Sequence, residues 1–73
     1  MSYGICTLSI VPCRAEGSDK AELVTQLLFG EVYRVIEEDE KWIKIITDLD
    51  SYKCWICRKQ FTEISVKEFG IIS

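Results

Sequence analysis

The four cysteines of this 73-residue sequence are its most chemically capable residues, because thiolates bind metals and attack electrophiles. They are Cys6, Cys13, Cys54 and Cys57, and the last two form a Cys-x-x-Cys pair of the kind that holds zinc. Residues three apart in a strand point to opposite faces, however, and the intervening Trp55-Ile56 is poor turn chemistry. We therefore predict ordinary buried or half-buried thiols, with no metal or other cofactor, and keep a zinc-stabilised module as an alternative.

Nucleophilic catalysis is disfavoured by the complete absence of histidine. A cysteine or serine nucleophile usually needs an imidazole base, so no such dyad can form within this chain. A thioredoxin-like redox pair needs a helix N-terminus to lower the thiol pKa, and no helical pattern follows Cys57. We predict a non-catalytic domain, with disulfides as an alternative that requires an oxidising compartment.

Aromatic side chains next to an acidic loop are the remaining candidates for binding chemistry. Trp42 alternates with Ile43 in an apolar stretch, and Trp55 alternates with Ile56, so both indoles are predicted to face away from the core. The acidic run Glu37–Lys41 is interpreted as a solvated hairpin tip, since it lacks the glycine and the alternating ligands of a calcium loop. An aromatic patch of this kind suits a groove for a peptide or glycopeptide.

Composition narrows the class of protein further. The chain has 48% hydrophobic and 29% charged residues, enough for one small core but not for a multidomain enzyme. Nine Lys and Arg against twelve Asp and Glu give a net charge of −3, which disfavours a nucleic-acid partner. Apolar runs such as Leu27-Leu28-Phe29 are far too short to cross a membrane, and no secretory leader is visible. We expect a cytoplasmic chain as written, with no membrane partner.

Apolar and polar residues alternate with a period of two along the sequence, and turn-forming residues recur at short intervals. This pattern predicts an all-β domain whose strands position these residues. Strands are predicted at Ile5–Pro12, Leu23–Phe29, Val32–Ile36, Trp42–Ile46 and Tyr52–Cys57, with a long polar loop at Arg14–Glu22. Pro12 is expected to end the first strand. The predicted fold is a small barrel of five to six short antiparallel strands, followed by a tail from Val66 with no clear period.

The sequence resembles a known family. The order Gly30-Glu31-x-Tyr33-x-Val35, Trp42-x-Lys44-Ile45 and Tyr52-x-x-Trp55-Ile56 is similar to that of bacterial SH3 domains. The block Gly4-Ile5-Cys6-x-Leu8-Ser9-Ile10-Val11-Pro12-x-Arg14-x-Glu16 more closely resembles the N-terminal SH3 domain of NlpC-type cell-wall peptidases, with nearest examples in Bacteroides-like bacteria. The resemblance covers residues 3–64 and leaves 65–73 as a tail or the start of a linker.

This resemblance implies an SH3-like barrel that assists a separate C-terminal cysteine-peptidase domain. Such enzymes cleave between γ-D-glutamate and a diamino acid in peptidoglycan stem peptides. Their SH3 domain packs on the catalytic domain and helps to select muropeptides with a free N-terminal L-alanine. The implied partners are therefore the muropeptide and the catalytic domain, and the parent protein would act in the cell envelope. A free-standing adaptor that binds a protein peptide is the alternative.

The family pattern also implies four ligand-binding residues. Glu16 and Asp19 lie in the loop that matches the long RT loop of the fold, where carboxylates would meet a ligand amine. Tyr52 is the phenol expected to hydrogen-bond the stem peptide, with Trp55 as its packing support. Cys54 departs from the family, which often has glycine there, so a close backbone approach at that position is in doubt. The row of exposed aromatics that binds proline-rich ligands is not evident.

Overall fold

The computed structural model describes residues 2–72, which form seven strands, one 3₁₀ turn and one short helix. The elements are β1 (Ser2–Ile5), β2 (Ile10–Arg14), β3 (Leu23–Leu28), β4 (Val32–Glu38), β5 (Trp42–Thr47), β6 (Lys53–Cys57), the 3₁₀ turn (Arg58–Gln60), β7 (Glu63–Ile64) and α1 (Val66–Ile72). All strand pairs are antiparallel, in the order β3-β2-β6-β5-β4-β1-β7. The prediction of a small all-β fold is confirmed, with seven strands instead of five or six.

The prediction of one continuous first strand was wrong. Ser2–Ile5 pairs with β4, whereas Ile10–Arg14 pairs with β3 at the other side of the sheet, so the chain must cross over between them. The apolar and β-branched pattern runs through both strands and hides this crossing. Pro12 also lies inside β2 and does not end it, since it pairs with Gln26 of β3. Proline has no backbone N–H to donate, and it is tolerated here because β2 has no pairing with β6 at this point.

The core lies on the inner face of the sheet, where each strand contributes every second residue. On β5 the burial alternates strictly, with Ile43 and Ile45 inside and Trp42 and Lys44 half-buried on the outer face. The other core side chains come from β2, β3, β4 and β6 and from the segment directly after β1, which contributes Cys6: Cys6, Val11, Cys13, Leu27, Tyr33, Val35, Cys54 and Ile56. Each fully buried apolar side chain of this size stabilises the fold by roughly 1.5–3 kcal/mol.

The C-terminal segment is a short helix that packs against the sheet, where the sequence indicated no regular pattern. Ser65 caps it, because its hydroxyl accepts the Glu68 N–H at 3.0 Å while the Glu68 carboxylate accepts the Ser65 N–H at 3.0 Å. Phe69 is buried, with its ring centroid 4.5 Å from that of Tyr3. No helix among residues 2–72 is long and apolar enough to span a membrane.

The cysteines follow the strand geometry and not a zinc-knuckle geometry. Cys54 is buried in the core, whereas Cys57, three residues later on β6, is half-buried on the outer face. Cys6 and Cys13 are buried, and all four thiols are free. Within residues 2–72, no group of three or more metal-ligating side chains converges.

Candidate functional site

A groove of about 520 Å³ lies on the outer face of the sheet, between the loop that follows β2 and the tip of the β4–β5 hairpin. It is lined by Asp19, Glu40, Lys41, Trp42, Cys57, Arg58 and Lys59. A second cleft of about 340 Å³ adjoins it, shares four of these residues and adds Pro12, Arg14 and Gln60. Together they form an extended concave surface with an aromatic side chain and charged groups around it, which makes this groove the candidate ligand site.

The floor of the groove is a row of three side chains on neighbouring strands. Trp42 on β5 pairs directly with Cys57 on β6. Pro12 on β2 lines the adjoining cleft together with both of these residues. Directly opposed residues on antiparallel strands share a face, so the β5–β6 register places Trp42 and Cys57 side by side on this floor.

The loop after β2 lies over one edge of the floor. A Cβ on Gly17 would stand 3.1 Å from both Cβ and Cγ of Trp42, so only a glycine lets the loop approach the indole so closely. The loop is held by the Ala15 N–H, which donates to the Glu22 carbonyl at 2.8 Å, and by the Arg14 guanidinium, which donates to the Ala21 carbonyl at 3.1 Å. Gly17 therefore fixes the wall of the groove against Trp42.

Charges of both signs surround this floor. Asp19 and Glu40 contribute carboxylates, while Lys41 and Lys59 contribute ammonium groups, and all four side chains are exposed. Arg58 also lines the groove, but its guanidinium pairs with Glu38 at 3.1 Å and donates to the Asp39 carbonyl at 3.0 Å. Its guanidinium therefore stabilises the hairpin tip and is already occupied by these two partners. The groove can accept an amine on one side and a carboxylate on the other.

The hairpin tip is itself preorganised by Asp39. Its carboxylate accepts hydrogen bonds from the backbone N–H groups of Lys41 at 3.0 Å and Trp42 at 2.9 Å. This Asx-type turn fixes the residue that begins β5, and with it the indole on the groove floor. The prediction that Glu37–Lys41 contains a hairpin tip agrees with this turn between β4 and β5.

A second row, next to the floor, contains the predicted residue Trp55. It lies between two cations, because it pairs with Arg14 on β2 and with Lys44 on β5. The Lys44 ammonium nitrogen is 5.9 Å from the indole centroid, within the range of a cation–π contact. Both indoles therefore lie on the outer face and are half-buried, as the alternation of Trp42 and Trp55 with core residues predicted.

The four predicted ligand-binding residues are not all brought together. Asp19 lines the groove, and Glu16 is exposed in the same loop. Tyr52 is exposed at the far end of β6, about 16 Å along the strand from Cys57, where its N–H donates to the Thr47 hydroxyl at 2.9 Å. The ligand role of these residues stays a prediction, but Tyr52 cannot share a small ligand with Asp19.

Sequence reasoning identified Trp42 as an outward-facing indole of a candidate aromatic groove but did not include it among the four ligand-binding residues. The available signal was its position directly after the hairpin tip, which brings it close to any long loop folded over the same face. Lys41, Lys59 and Cys57 carried no such signal, because their meeting with Asp19 depends on strand register. The groove combines an aromatic ring with carboxylates and ammonium groups, an arrangement that is suited to binding a charged ligand.

Comparison with known protein families gives one match. A family model described as the bacterial dipeptidyl-peptidase SH3 domain matches residues 13–61, which is more than half of the chain. The matched region runs from within β2 to the residue after the 3₁₀ turn, and it includes all seven residues that line the groove, while Pro12 of the adjoining cleft lies directly before it. No curated protein matches the sequence.

Proposed function

Because the chain belongs to the family of bacterial dipeptidyl-peptidase SH3 domains, we propose that it is the non-catalytic accessory module of a cell-wall peptidase and binds the peptidoglycan stem peptide. An SH3 domain is a binding module, and the family description supplies the link to a peptidase. The single observation that carries the proposal is the Trp42 floor with carboxylates and ammonium groups around it. This arrangement fits a short peptide with charges of both signs.

The stem peptide L-Ala-γ-D-Glu-diamino acid carries groups that match the groove. Its free L-alanine amine is a cation that Asp19 can meet, and its carboxylates are anions that Lys41 and Lys59 can meet. Its methyl and methylene groups can cover the Trp42 ring. The proposed contacts therefore use three chemically different parts of one ligand, which provides selectivity as well as affinity.

The length of the ligand decides which predicted residues it can reach. Three extended residues span about 10–11 Å. Trp55 lies two residues from Cys57 along β6, about 7 Å, so a peptide that starts at Asp19 can reach it. Tyr52 lies about 16 Å from Cys57, beyond that span. We therefore propose Asp19, with Glu16 in the same loop, as the amine end of the site and Trp55 as its far edge, and we reserve Tyr52 for a longer peptide.

The parent enzyme that we propose is an NlpC-type cysteine peptidase of the cell envelope, from a Bacteroides-like bacterium. Its catalytic domain would cleave between γ-D-glutamate and the diamino acid while this module docks on it and selects the free amine. The alternative is a free-standing adaptor for protein peptides, which the mixed charge of the groove also allows. The ligand chemistry separates the two proposals.

An NMR titration of the chain with L-Ala-γ-D-Glu-diamino acid tests the stem-peptide proposal. We expect shifts at the Trp42 indole, at Asp19 and at Lys59, and we expect N-acetylation of the ligand to abolish them because the acetyl group removes the cation. Asp19→Asn should weaken binding about tenfold, since it removes one charge-assisted hydrogen bond of roughly 1.5–3 kcal/mol. Asp48→Asn, at the other end of the molecule, is the matched control and should bind normally.

Three results would count against the proposal. No shift at millimolar peptide would exclude binding by the module alone. Shifts confined to Tyr52 would place the site away from the groove. Equal binding of an ordinary α-linked peptide of L-residues would favour the protein adaptor.

A further inference from the structure

Arg14 carries a half-buried guanidinium that has no carboxylate partner among residues 2–72. It is the last residue of β2 and pairs with Trp55 of β6, so its side chain lies on the outer face of the sheet. In this part of the chain the one ion pair joins Arg58 to Glu38. Arginine side chains that lose contact with water are normally paired with an anion. Arg14 can therefore still bind one.

The loop after β2 holds the Arg14 guanidinium in place. Its Nη1 donates to the Ala21 carbonyl at 3.1 Å, and the Ala15 N–H closes the same loop by donating to the Glu22 carbonyl at 2.8 Å. A guanidinium has five N–H groups in a rigid planar fork, so this single bond leaves most of them free for a ligand. Because the side chain is already ordered, binding an anion costs little further conformational entropy.

Arg14 lines the cleft of about 340 Å³ that adjoins the groove, and Asp19 lines the same cleft. The two side chains form no ion pair with each other, so the cleft keeps a guanidinium and a carboxylate as separate groups. Trp42 lies on the floor that the cleft shares with the groove. A ligand that complements this cleft must therefore present a cation and an anion a short distance apart.

The first two residues of the stem peptide present such a pair of charges. In L-Ala-γ-D-Glu the chain continues from the side-chain carboxyl of D-glutamate, which leaves the α-carboxylate of that residue free. This α-carboxylate follows the L-alanine amine by one peptide unit, so the two charges are about 6 Å apart. In an ordinary α-linked peptide the same carboxyl group is consumed by the next peptide bond.

We propose that Arg14 binds the α-carboxylate of the γ-linked D-glutamate while Asp19 binds the L-alanine amine. This inference rests on the proposed function and deepens it, because it names the second residue of the stem peptide as a recognised group. The planar fork of Arg14 matches the two oxygens of a carboxylate. A neutral carboxamide at this position would instead turn an N–H₂ donor towards the donors of Arg14. Lys41 and Lys59 remain for the carboxylate of the diamino acid.

NMR titration of the 73-residue chain with two tripeptides tests this assignment. One is L-Ala-γ-D-Glu-diamino acid, and the other carries a carboxamide in place of the α-carboxylate of its D-glutamate. We expect the wild type to bind the acid about tenfold more tightly than the amide, because the amide loses a charge-assisted hydrogen-bond pair. In Arg14→Gln the affinity for the acid should fall to that for the amide.

Two further variants control for charge and for folding. Arg34→Gln is the matched control and should keep the preference for the acid, since Arg34 lines neither the groove nor the cleft and its guanidinium carbon lies 5.6 Å from the Phe69 ring centroid. Arg14→Lys keeps the charge and a donor for the Ala21 carbonyl but lacks the fork, so its preference should be intermediate. Far-UV circular dichroism shows whether each variant is folded, and the comparison of the two peptides on the wild type does not depend on it.

The outcomes separate this assignment from the proposed function. Trp42 shifts with both peptides at equal affinity overturn the role of Arg14 but keep the groove as a peptide site. A folded Arg14→Gln that still prefers the acid also overturns it, because the carboxylate is then bound elsewhere. The absence of a Trp42 shift with either peptide overturns both proposals.

Discussion

At the scale of single residues, two glycines are required by aromatic rings that lie on them. Gly17 lies against Trp42 at the groove, and Gly4 pairs across β1 and β4 with Tyr33, whose ring covers it. A Cβ on Gly4 would stand 2.7 Å from the phenolic oxygen of Tyr33, far closer than nonbonded atoms approach. A side chain at Gly4 would disturb the packing of the core, whereas a side chain at Gly17 would disturb the ligand groove.

Gly4→Ala should destabilise the domain by about 1–3 kcal/mol, because the new methyl group overpacks the core against a buried ring. Urea unfolding measures the free-energy change. Gly70→Ala is the control, since a Cβ there meets no atom within 4 Å and alanine is the better helix former, so it should stabilise by about 0.5–1 kcal/mol. Equal stability of Gly4→Ala and the wild type would contradict the packing of Tyr33 on Gly4.

Tyr33 should make the fold sensitive to alkali. Burial raises the pKa of its phenol from 10.0 to about 12, against a smaller lowering by the nearby Thr62 backbone. A folded-state pKa above the unfolded value gives stability that is complete below pH 10 and is lost as the pH rises from 10 to 12. Two pKa units at 1.36 kcal/mol each correspond to a loss of about 2.7 kcal/mol.

Tyr33→Phe isolates this contribution. The phenolic oxygen is buried and makes no well-formed hydrogen bond to residues 2–72, so its removal should change stability little at pH 7. Above pH 10 the variant should lose less stability than the wild type. Parallel stability curves for the two proteins from pH 9 to 12 would show that Tyr33 does not titrate in this way.

Gly17→Ala should affect binding more than stability, because its Cβ would push the loop or the Trp42 indole out of position. We expect the affinity for the stem peptide to fall about tenfold, with a Trp42 side-chain shift in the absence of ligand. The affinity comes from the same NMR titration. Unchanged affinity together with an unchanged Trp42 signal would mean that the loop does not set the wall of the groove.

At the scale of elements, the turns and caps are fixed by single polar side chains. Asp39 closes the β4–β5 turn with two hydrogen bonds, Thr47 accepts the Tyr52 N–H in the β5–β6 turn, and Ser65 with Glu68 caps α1. Helix α1 contributes only one buried side chain, Phe69, so its cap matters more than it would in a well-packed helix.

Ser65→Ala should therefore loosen α1 without unfolding the sheet. Loss of an N-cap hydroxyl costs about 0.5–2 kcal/mol, and faster amide exchange at Phe69 measures it, because that N–H donates to the Ser65 carbonyl. Ser65→Asp should retain the cap and is the control. Slow exchange at Phe69 in the alanine variant would show that packing alone holds the helix.

The same cap predicts a pH response. Hydrogen bonds from the backbone and the side chain of Ser65 lower the pKa of Glu68 from 4.5. A lowered carboxyl pKa gives stability that is present above pH 4.5 and is lost as the pH falls through the lowered value. The protection factor of the Phe69 amide, which is its exchange rate relative to an unstructured peptide at the same pH, should therefore fall at acid pH in the wild type but not in Glu68→Gln, and an identical response would refute the link.

At the scale of the whole molecule, the inner face of the sheet carries a core of cysteines and branched apolar side chains, and the outer face carries the groove. Three cysteines lie inside, and burial is the main cause of the raised pKa at Cys6, while a hydrogen bond with Cys54 is the main cause at Cys13. Cys57 alone among the four is half-buried, at the groove. The groove lies at the end of the sheet where β5 begins with Trp42.

A thiol-reactive probe should therefore modify one cysteine of the native chain at a measurable rate, namely Cys57. The other three should react only as fast as the protein unfolds, because the thiolate that attacks the probe is disfavoured in the core. Mass spectrometry with and without urea counts the modified sites, and stem peptide should slow the native reaction. Rapid labelling of Cys13 or Cys54 in the native protein would contradict the burial of these thiols.

The sequence by itself determined the all-β class, the strands from β4 to β6 and the outward orientation of both indoles. These properties are local, because a period of two places every second side chain on one face wherever the strand pairs. The matching of Gly30, Trp42 and Trp55 to a family pattern depended on spacing alone. The spacing of Cys54 and Cys57 by three residues likewise predicted that they lie on opposite faces of β6, without any knowledge of the neighbouring strands.

Only the tertiary structure decided which distant residues meet. The crossing between Ile5 and Ile10 and the row that joins Pro12, Cys57 and Trp42 both depend on register and strand order. No short-range pattern encodes these, because the pairing free energy of a strand depends on which partner strand lies beside it. For this reason Asp19 lines the groove beside Trp42 at the start of β5, whereas Tyr52, also a predicted ligand residue, lies beside Thr47 at the other end of that strand.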